Sequence, residues 1–333
     1  MINPLEEYET LESLLQNSDL GFVNELLTGA FHQQGPGRTP RNPLGVFKAH
    51  LAKRFLGLRG VRELERRLWN DARLRSICDI EDHEPAYGRS VLSRFPGKVG
   101  IERLQSIIDH LLKGLKGAKL VKGKNVALDA SFIRAYSSID MRTRLGRSDA
   151  DARIGRGGKG YGLGYNLHLS VDADSELPIA FKVTPANIRD IEVAPELLKA
   201  ARRVLPRGIE HTMADRGYSS DGFRKEVRRR SMEPIIPYRS NQHKGERGLL
   251  RIDGHFKTHG PTRLKRLYKK RNAVERVFSR LKEQLSLRDH RVRGLIKIML
   301  HVQLCIIGML LNAQAAINSQ RPRKALSITY YAT

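Results

Sequence analysis

Apolar residues recur every three or four positions through most of the first 120 residues of the chain. This spacing is typical of amphipathic helices that turn one face toward a core. The clearest repeats are formed by Val46, Leu51, Phe55 and Leu58, and then by Val61, Leu64, Leu68 and Leu74. We expect Trp69, in the second of these helices, to be a core residue. A glycine- and lysine-rich stretch over residues 113–124 predicts a flexible link and a domain boundary near residue 120.

Past this link, apolar and polar residues alternate, which predicts β-strands. Three strands are predicted over residues 125–133, 165–171 and 178–184, and their short second connection favours an antiparallel meander. The predicted order continues with a helix (188–204), a strand (209–214), a helix (220–230), a strand (233–238) and, after residues 239–262, a long helix (263–287). This order of elements matches a ribonuclease-H-like sheet.

The predicted fold class is therefore α/β, with a mixed five-stranded sheet flanked by helices in a ribonuclease-H-like domain that follows an all-helical domain. We expect the domains to span residues 1–120 and 121–320, with a tail over 321–333.

Residues 298–320 contain no Asp, Glu, Lys or Arg. Polar residues such as Gln303 and Asn312 would be costly in a membrane, so a core helix is the preferred interpretation of this segment.

The charge of the chain narrows the choice of partners. Lysine and arginine number 60 against 35 acidic residues, which gives a net charge of +25. Because so large a surplus repels itself in a compact protein, a polyanionic partner is the natural explanation, and nucleic acid is favoured.

The glycine-rich segment 155–164 is predicted to be a loop. It is either a flexible connection or a segment that approaches a DNA backbone with its amides and with Arg153, Arg156 and Lys159.

The two cysteines, Cys78 and Cys305, lie far apart in apolar surroundings and show no metal-ligand spacing. They are interpreted as buried thiols in a reducing compartment. The acidic first twenty residues do not have the basic-then-apolar pattern of a signal peptide. We therefore expect a cytoplasmic location and no membrane association.

Three acidic residues carry the predicted chemistry. Asp129 lies on the first predicted strand, Asp215 at the end of the fourth, and Glu275 on the late helix. In a ribonuclease-H-like sheet these positions converge, and converging carboxylates hold the two divalent ions that cut and rejoin phosphodiesters. Taken singly, each acid has a simpler explanation: a solvent-facing strand residue, a turn aspartate, and half of a surface ion pair with Arg271 or Lys282.

The late helix carries the most specific sequence pattern of the predicted catalytic site. At about 100° per residue, Tyr268, Arg271, Glu275 and Lys282 fall within a sector about 60° wide. One acid therefore lies between an aromatic ring and two cations on a single face. An adjoining apolar stripe, which includes Val274, is predicted to pack this helix on the sheet.

The run Tyr268-x-x-Arg271-x-x-x-Glu275, followed seven residues later by Lys282, resembles the Tyr-Arg-Glu-Lys signature of DDE transposases from bacterial and archaeal insertion sequences. The segments Ala-Leu-Asp-Ala-Ser around Asp129 and Ala-Asp-Arg-Gly-Tyr around Asp215 are similar to other blocks of that family's catalytic domain. The resemblance covers residues 35–315. Because the interval from Asp215 to Glu275 is short, a large insertion domain is not expected there.

This resemblance implies a cut-and-paste mechanism. Asp129, Asp215 and Glu275 would be the catalytic residues and would bind two Mg²⁺ ions, for which Mn²⁺ would substitute. Tyr268, Arg271 and Lys282 would contact DNA. The helical domain would bind the terminal inverted repeats, and a homodimer or higher oligomer would pair two ends before insertion into target DNA. The protein would act at the nucleoid of a prokaryotic cell.

Two alternatives stay open: a catalytically silent DNA-binding descendant of a transposase, and a stand-alone ribonuclease-H-like nuclease. Among lesser candidates, His168 is expected on the same side of the sheet as Asp129, where a structural role is the preferred interpretation. Asp172 and Asp190 are interpreted as a turn aspartate and a helix cap instead of as fourth acids.

Overall fold

The computed structural model of the chain describes residues 4–31, 41–157, 160–239 and 262–328. These residues form two compact units. The first unit comprises Met1–Leu115 together with Arg280–Thr333, and the second comprises Lys116–Ser279. Residues 240–261, which cover most of the predicted connection before the late helix, and Lys159 lie outside the described residues.

The first unit is helical, as the 3.6-residue spacing predicted. Its elements are α1 (Pro4–Gln16), α2 (Gly21–Phe31), α3 (Pro43–Phe55), α4 (Val61–Asn70), α5 (Ala72–Ile77), α6 (Arg89–Gly117), a π-helical turn (Arg280–Gln284), α11 (Leu295–Asn318) and a 3₁₀ turn (Pro322–Leu326). The side chain of Asn42 caps α3 by accepting hydrogen bonds from the amides of Leu44 and Gly45. Asp71 caps α5 through the amide of Leu74. Gly100, with φ of 82°, breaks α6 into two helices.

Trp69 is not a core residue. The buried residues of α4 are Leu64 and Leu68, and the position after Leu68 is rotated by about 100° from the buried stripe. As a result, 57% of Trp69 is exposed. The prediction that it lies in the core was wrong.

The long apolar helix α11 is a core helix. It is long and apolar enough to cross a membrane, but 78% of its most apolar window is buried within the protein. Its polar groups have partners inside the first unit: Gln303 Nε2 donates to the carbonyl of Ile101 at 2.9 Å, and Asn312 Nδ2 donates to that of Ala325 at 2.9 Å. Because these contacts hold α11 to the helical unit, the compact units differ from the predicted domains, which placed residues 280–320 with the sheet. The Asn312 contact also packs part of the predicted tail.

The second unit is built on a mixed sheet. Across the described residues its strands are β1 (Asn125–Arg134), β2 (Arg153–Gly157), β3 (Gly160–Asp172), β4 (Leu177–Pro185), β5 (His211–Met213) and β6 (Glu233–Ile235). Strand β3 pairs antiparallel with β1, β2 and β4, whereas β5 is parallel to β1 and β6 to β5. The helices are α7 (Asp190–Val204), α8 (Asp221–Arg229), α9 (Thr262–Lys269) and α10 (Asn272–Ser279). This is the predicted ribonuclease-H-like α/β fold.

The sheet has one strand more than the five predicted, because β2 forms within the glycine-rich segment that was predicted to be a loop. The glycines allow close packing of the β2–β3 hairpin. A Cβ at Gly164 would lie 2.7 Å from Cζ of Phe132, and a Cβ at Gly155 would lie 2.2 Å from the carbonyl oxygen of Ala186. A side chain at either position would clash, so these glycines bring backbone and ring into contact.

The late helix is not continuous. It divides into α9 and α10 at Lys270 and Arg271, where the amide of Arg271 donates to the carbonyl of Tyr268 and that of Val274 donates to the carbonyl of Arg271, both at 3.0 Å. These bonds span three residues, as in a 3₁₀ turn. The prediction of a single helix over 263–287 was therefore wrong in its continuity, and its last turn belongs to the first unit.

Candidate active site

Asp129 lies where the central strand of the sheet emerges from the core. The first four residues of β1, Asn125–Leu128, are buried on both faces, and exposure begins at Asp129, whose side chain is 20% exposed. Strand β5 pairs with β1 only over Asn125–Ala127. Asp129 thus stands two residues beyond the last β1–β5 pair.

Asp215 reaches the same level from the neighbouring strand. The parallel register joins Ala127 to Met213, and continuing it by two residues places Asp129 beside Asp215. Asp215 Oδ1 accepts a hydrogen bond of 2.7 Å from the amide of Gly217 and caps the turn Arg216–Tyr218. A Cβ at Gly217 would lie 2.8 Å from that oxygen, so the close approach depends on glycine.

Arg271 joins the first strand to the third predicted acid. Its Nη1 donates to Asp129 Oδ2 at 2.9 Å, and its Nη2 donates to Glu275 Oε1. The guanidinium is largely buried, with 13% of the side chain exposed, whereas the side chain of Glu275 is 55% exposed. Arg271 therefore sits between two carboxylates at the protein surface.

Tyr268 completes this cluster. The residue is buried, and Cζ of Arg271 lies 5.7 Å from the centre of its ring, within the range of a cation–π contact. Tyr268, Arg271 and Glu275 are therefore brought together with Asp129 although the helix is interrupted between them. Lys282, the fourth predicted member of this face, lies in the π-helical turn of the first unit. Its role in the site stays a prediction.

The carboxylates lie in surroundings that disfavour negative charge. Burial raises the pKa of Asp129 to about 6; the charge of Arg271 opposes this rise, and those of Asp215 and Asp190 add to it. Burial also raises the pKa of Asp190 to about 6, with a further contribution from Asp215. Acids whose loss of water on burial is not fully compensated by one arginine favour binding of further positive charge.

The donor set fits a hard divalent cation. Within the ranges that the structure describes, no group of three His, Cys, Asp or Glu side chains stands close enough to hold a metal ion. Instead, the guanidinium of Arg271 supplies the positive charge between Asp129 and Glu275. Carboxylate oxygens at a partly open surface are the ligands that Mg²⁺ prefers, whereas sulfur and imidazole ligands would select other metals.

The structure also brings in residues that the sequence did not assign to the site. Asp190 was predicted to be a helix cap, but Arg189 is the N-cap of α7 and Asp190 is its first residue. The prediction that His168 lies on the same side of the sheet as Asp129 was wrong, because Asp129 lies opposite Leu169 in the register and His168 opposite Ala130. Residues opposite each other in a sheet share a face, so His168 and Asp129 point to different faces.

Tyr218 is a further residue that the sequence did not assign to the site. Its ring is fully buried, and burial, followed by the charges of Asp190, Asp129 and Asp215, raises the pKa of its hydroxyl. A signal for it was present in the sequence, since it follows Asp215 within the same tight turn.

Asp172, in contrast, is structural as predicted: it accepts hydrogen bonds from the Lys122 amide and the Ser175 hydroxyl.

The fold and this group of residues define a ribonuclease-H-like protein with a site of converging carboxylates. Residues 122–311 match the family model of the transposase DDE domain, and residues 3–98 match that of a transposase domain known as DUF772. Since the first match covers more than half of the chain, the protein belongs to the DDE-domain transposase family. The resemblance predicted from the Tyr-Arg-Glu-Lys run is thereby confirmed.

Other comparisons add little to this assignment. No curated protein matches the sequence. Among solved structures, the chain is similar to the piggyBac transposase in a cryo-EM structure of its synaptic complex with hairpin DNA. The sequence identity is 9%, the similarity covers 100% of this chain and 80% of the other, and the TM-score is 0.45.

Proposed function

We propose that this transposase is active, that it cleaves DNA at the terminal inverted repeats of its element, and that it joins the freed 3′-hydroxyl to target DNA. The proposal is supported by the β1–β5 register, which places Asp129 beside Asp215, together with the contacts of Arg271 to Asp129 and Glu275. A protein that only binds DNA has no need to keep repelling carboxylates in partly buried positions.

Asp129, Asp215 and Glu275 are the residues that would hold divalent metal, with Mg²⁺ as the natural ion, Mn²⁺ as a substitute, and two ions per site. When bound, such ions make a water molecule more acidic and stabilise charge on the attacking and leaving oxygens. The capping bond from Gly217 to Asp215 fixes one carboxylate, and the strand backbone of β1 fixes another. Rigid placement of ligands favours in-line attack by either water or a 3′-hydroxyl.

Arg271 and Tyr268 are suited to contact the DNA that is cut. The guanidinium of Arg271 already donates from two nitrogens to two carboxylates, and the same fork of donors matches a phosphate group. The ring of Tyr268 lies within cation–π distance of the guanidinium. We assign a DNA contact to Lys282 as well, from the sequence signature alone.

The remaining parts of the proposal concern assembly. The helical residues 1–120 would bind the terminal repeats, and the net charge of +25 would attract both the element ends and the target DNA. Two protomers would pair two ends, which makes a homodimer or a higher oligomer the active form. We propose that the protein acts in the cytoplasm of a prokaryotic cell, at the nucleoid.

The test is cleavage of labelled DNA that carries the element's own ends, in Mg²⁺, Mn²⁺ or EDTA. Asp215→Asn and Glu275→Gln should abolish cleavage at the repeat end and leave binding in a gel shift intact. Glu196→Gln is the matched control, because Glu196 is an exposed glutamate of the same unit that pairs with Lys182. Tight binding without cleavage by the wild type in either metal would contradict the proposal and identify a silent DNA-binding descendant.

A further inference from the structure

Asp190 is a carboxylate that the fold itself does not use. It is the first residue of α7, and the helix N-cap is the preceding residue, Arg189, which makes no side-chain capping bond. Among the described residues, no hydrogen bond to the Asp190 carboxylate is found, although its side chain is only 37% exposed. An acid at a helix start interacts favourably with the helix dipole, and that effect alone would not require its partial burial.

His168 approaches Asp190 from the sheet. Its ring is fully buried, and Nε2 is paired with Thr184 Oγ1 at 2.9 Å. The other ring nitrogen, Nδ1, lies 3.6 Å from Asp190 Oδ1, which is longer than a hydrogen bond, and it has no hydrogen-bond partner in the described part of the chain. Burial lowers the pKa of His168 to about 4, so the ring is neutral at pH 7.

Tyr218 lies near Asp190, Asp129 and Asp215, in the turn that follows β5. It ends the turn that Asp215 caps, and this turn packs against α7. Its side chain is fully buried, and within the described residues its hydroxyl has no hydrogen-bond partner. The charge that acts on this hydroxyl most strongly is that of Asp190, followed by those of Asp129 and Asp215.

Two buried polar groups, on β3 and on the turn after β5, therefore have no hydrogen-bond partner among the described residues: one lies 3.6 Å from the Asp190 carboxylate, and the other is in a turn that packs against the helix of Asp190. Such groups are rare in proteins because each loses its water without gaining a partner. A single ligand with its bound water would complete the hydrogen bonds of both groups. The chemistry around them, with carboxylates and no excess of positive charge, selects a cation.

We propose that Asp190 is a fourth carboxylate of the active site, that it helps to hold the divalent cations, and that His168 and Tyr218 are its positioning residues. This inference rests on the proposed function, since it concerns the same metal site. Asp129, Asp215 and Glu275 supply three carboxylates for two divalent ions. Asp190 brings the number to four and gives each ion two carboxylates, which is a common number for Mg²⁺.

The experiment is Mn²⁺ binding to the full chain without DNA, measured by calorimetry and by the electron paramagnetic resonance signal of free Mn²⁺. We expect Asp190→Asn to weaken binding by at least about tenfold or to remove one ion per chain. Glu192→Gln is the matched control: Glu192 lies in the same first turn of α7 and pairs with Arg189. Both variants remove one charge from the helix start, so only a role at the metal separates them.

The outcomes also separate this inference from the proposed function. If Asp215→Asn loses Mn²⁺ binding while Asp190→Asn keeps the affinity and stoichiometry of the wild type, the role of Asp190 is refuted and the proposed function stands. If the wild type binds no Mn²⁺, or if Asp215→Asn binds it normally, the three-acid site itself is refuted. Circular dichroism of each variant checks that the chain is folded.

Tyr218→Phe tests the positioning role, because it removes only the hydroxyl. We expect it to weaken Mn²⁺ binding by about tenfold in the wild type and to have little further effect in Asp190→Asn, as residues that act through one another do in a double-mutant cycle. A merely structural tyrosine would give the opposite result: unchanged Mn²⁺ affinity and, since a buried hydroxyl without a partner has been removed, higher stability.

Discussion

Replacing Asp129 by asparagine should make the metal-free protein more stable. Burial and the neighbouring carboxylates outweigh Arg271 and raise the pKa of Asp129 from 3.8 to about 6. A difference of about two pKa units corresponds to about 3 kcal/mol between the charged and neutral forms. Asparagine has the same shape and no charge, so Asp129→Asn removes this cost and keeps the packing of β1.

The sign of the effect depends on pH. An acid whose pKa is raised by folding binds more protons in the folded state between pH 3.8 and 6, so its charge destabilises the fold in full only above pH 6. We therefore expect Asp129→Asn to gain about 2–3 kcal/mol over the wild type at pH 7.5. The gain should shrink as the pH falls and vanish near pH 4, where both side chains are neutral.

Hydrogen exchange of the β1 and β3 amides in EDTA, as a function of urea, measures this gain within the second unit. Addition of Mg²⁺ or Mn²⁺ should stabilise the wild type and leave the variant unchanged, since only the wild type keeps the full ligand set. Glu196→Gln serves again as the control that removes an exposed carboxylate. A loss of stability at pH 7.5 in EDTA, or a gain that persists at pH 4, would refute the argument from desolvation.

Three further predictions follow from the packing. Gly164→Ala should destabilise the second unit by about 1–3 kcal/mol in urea unfolding, because its Cβ would lie 2.2 Å from the Ile133 carbonyl oxygen; an unchanged midpoint would contradict this. Burial lowers the pKa of His50 from 6.5 to about 3, so the unfolded state binds more protons below pH 6.5. The wild type should thus lose about 2 kcal/mol between pH 7 and pH 5 through this residue, a loss that His50→Gln should abolish. Trp69→Ala should cost less than about 1 kcal/mol, against the 3–5 kcal/mol of a core tryptophan, because this side chain is largely exposed.

The order of elements in the second unit could be predicted from the sequence because local patterns carry it. Alternating apolar residues in β1 and β3, and a 3.6-residue repeat in α7, each indicate the type and the position of one element. The grouping of Tyr268, Arg271 and Glu275 was predictable for the same reason, since their spacing follows one helical face. It survives the break at Arg271 because a 3₁₀ turn changes the direction of neighbouring side chains only slightly.

Features that depend on distant residues could not be predicted in this way. Glycine favours loops in general, whereas the glycines of the β2–β3 hairpin pack against Phe132, a residue of another strand that the local pattern does not indicate. The sequence of α11 shows a buried helix but not its partners, which include the carbonyl of Ile101. The position of Asp190 could not be predicted either, because it depends on His168 in β3 and on the turn after β5.

The most direct test of the central claim is joining, which separates a transposase from a nuclease. The substrate is a terminal repeat whose 3′-hydroxyl is already free, incubated with a supercoiled plasmid and Mg²⁺. We expect the wild type and Glu196→Gln to insert the repeat into the plasmid, and Asp129→Asn, Asp215→Asn and Glu275→Gln to bind the repeat without joining it. Joining by any of these three variants at the wild-type rate would contradict the account, as would a wild type that cuts DNA but never joins it.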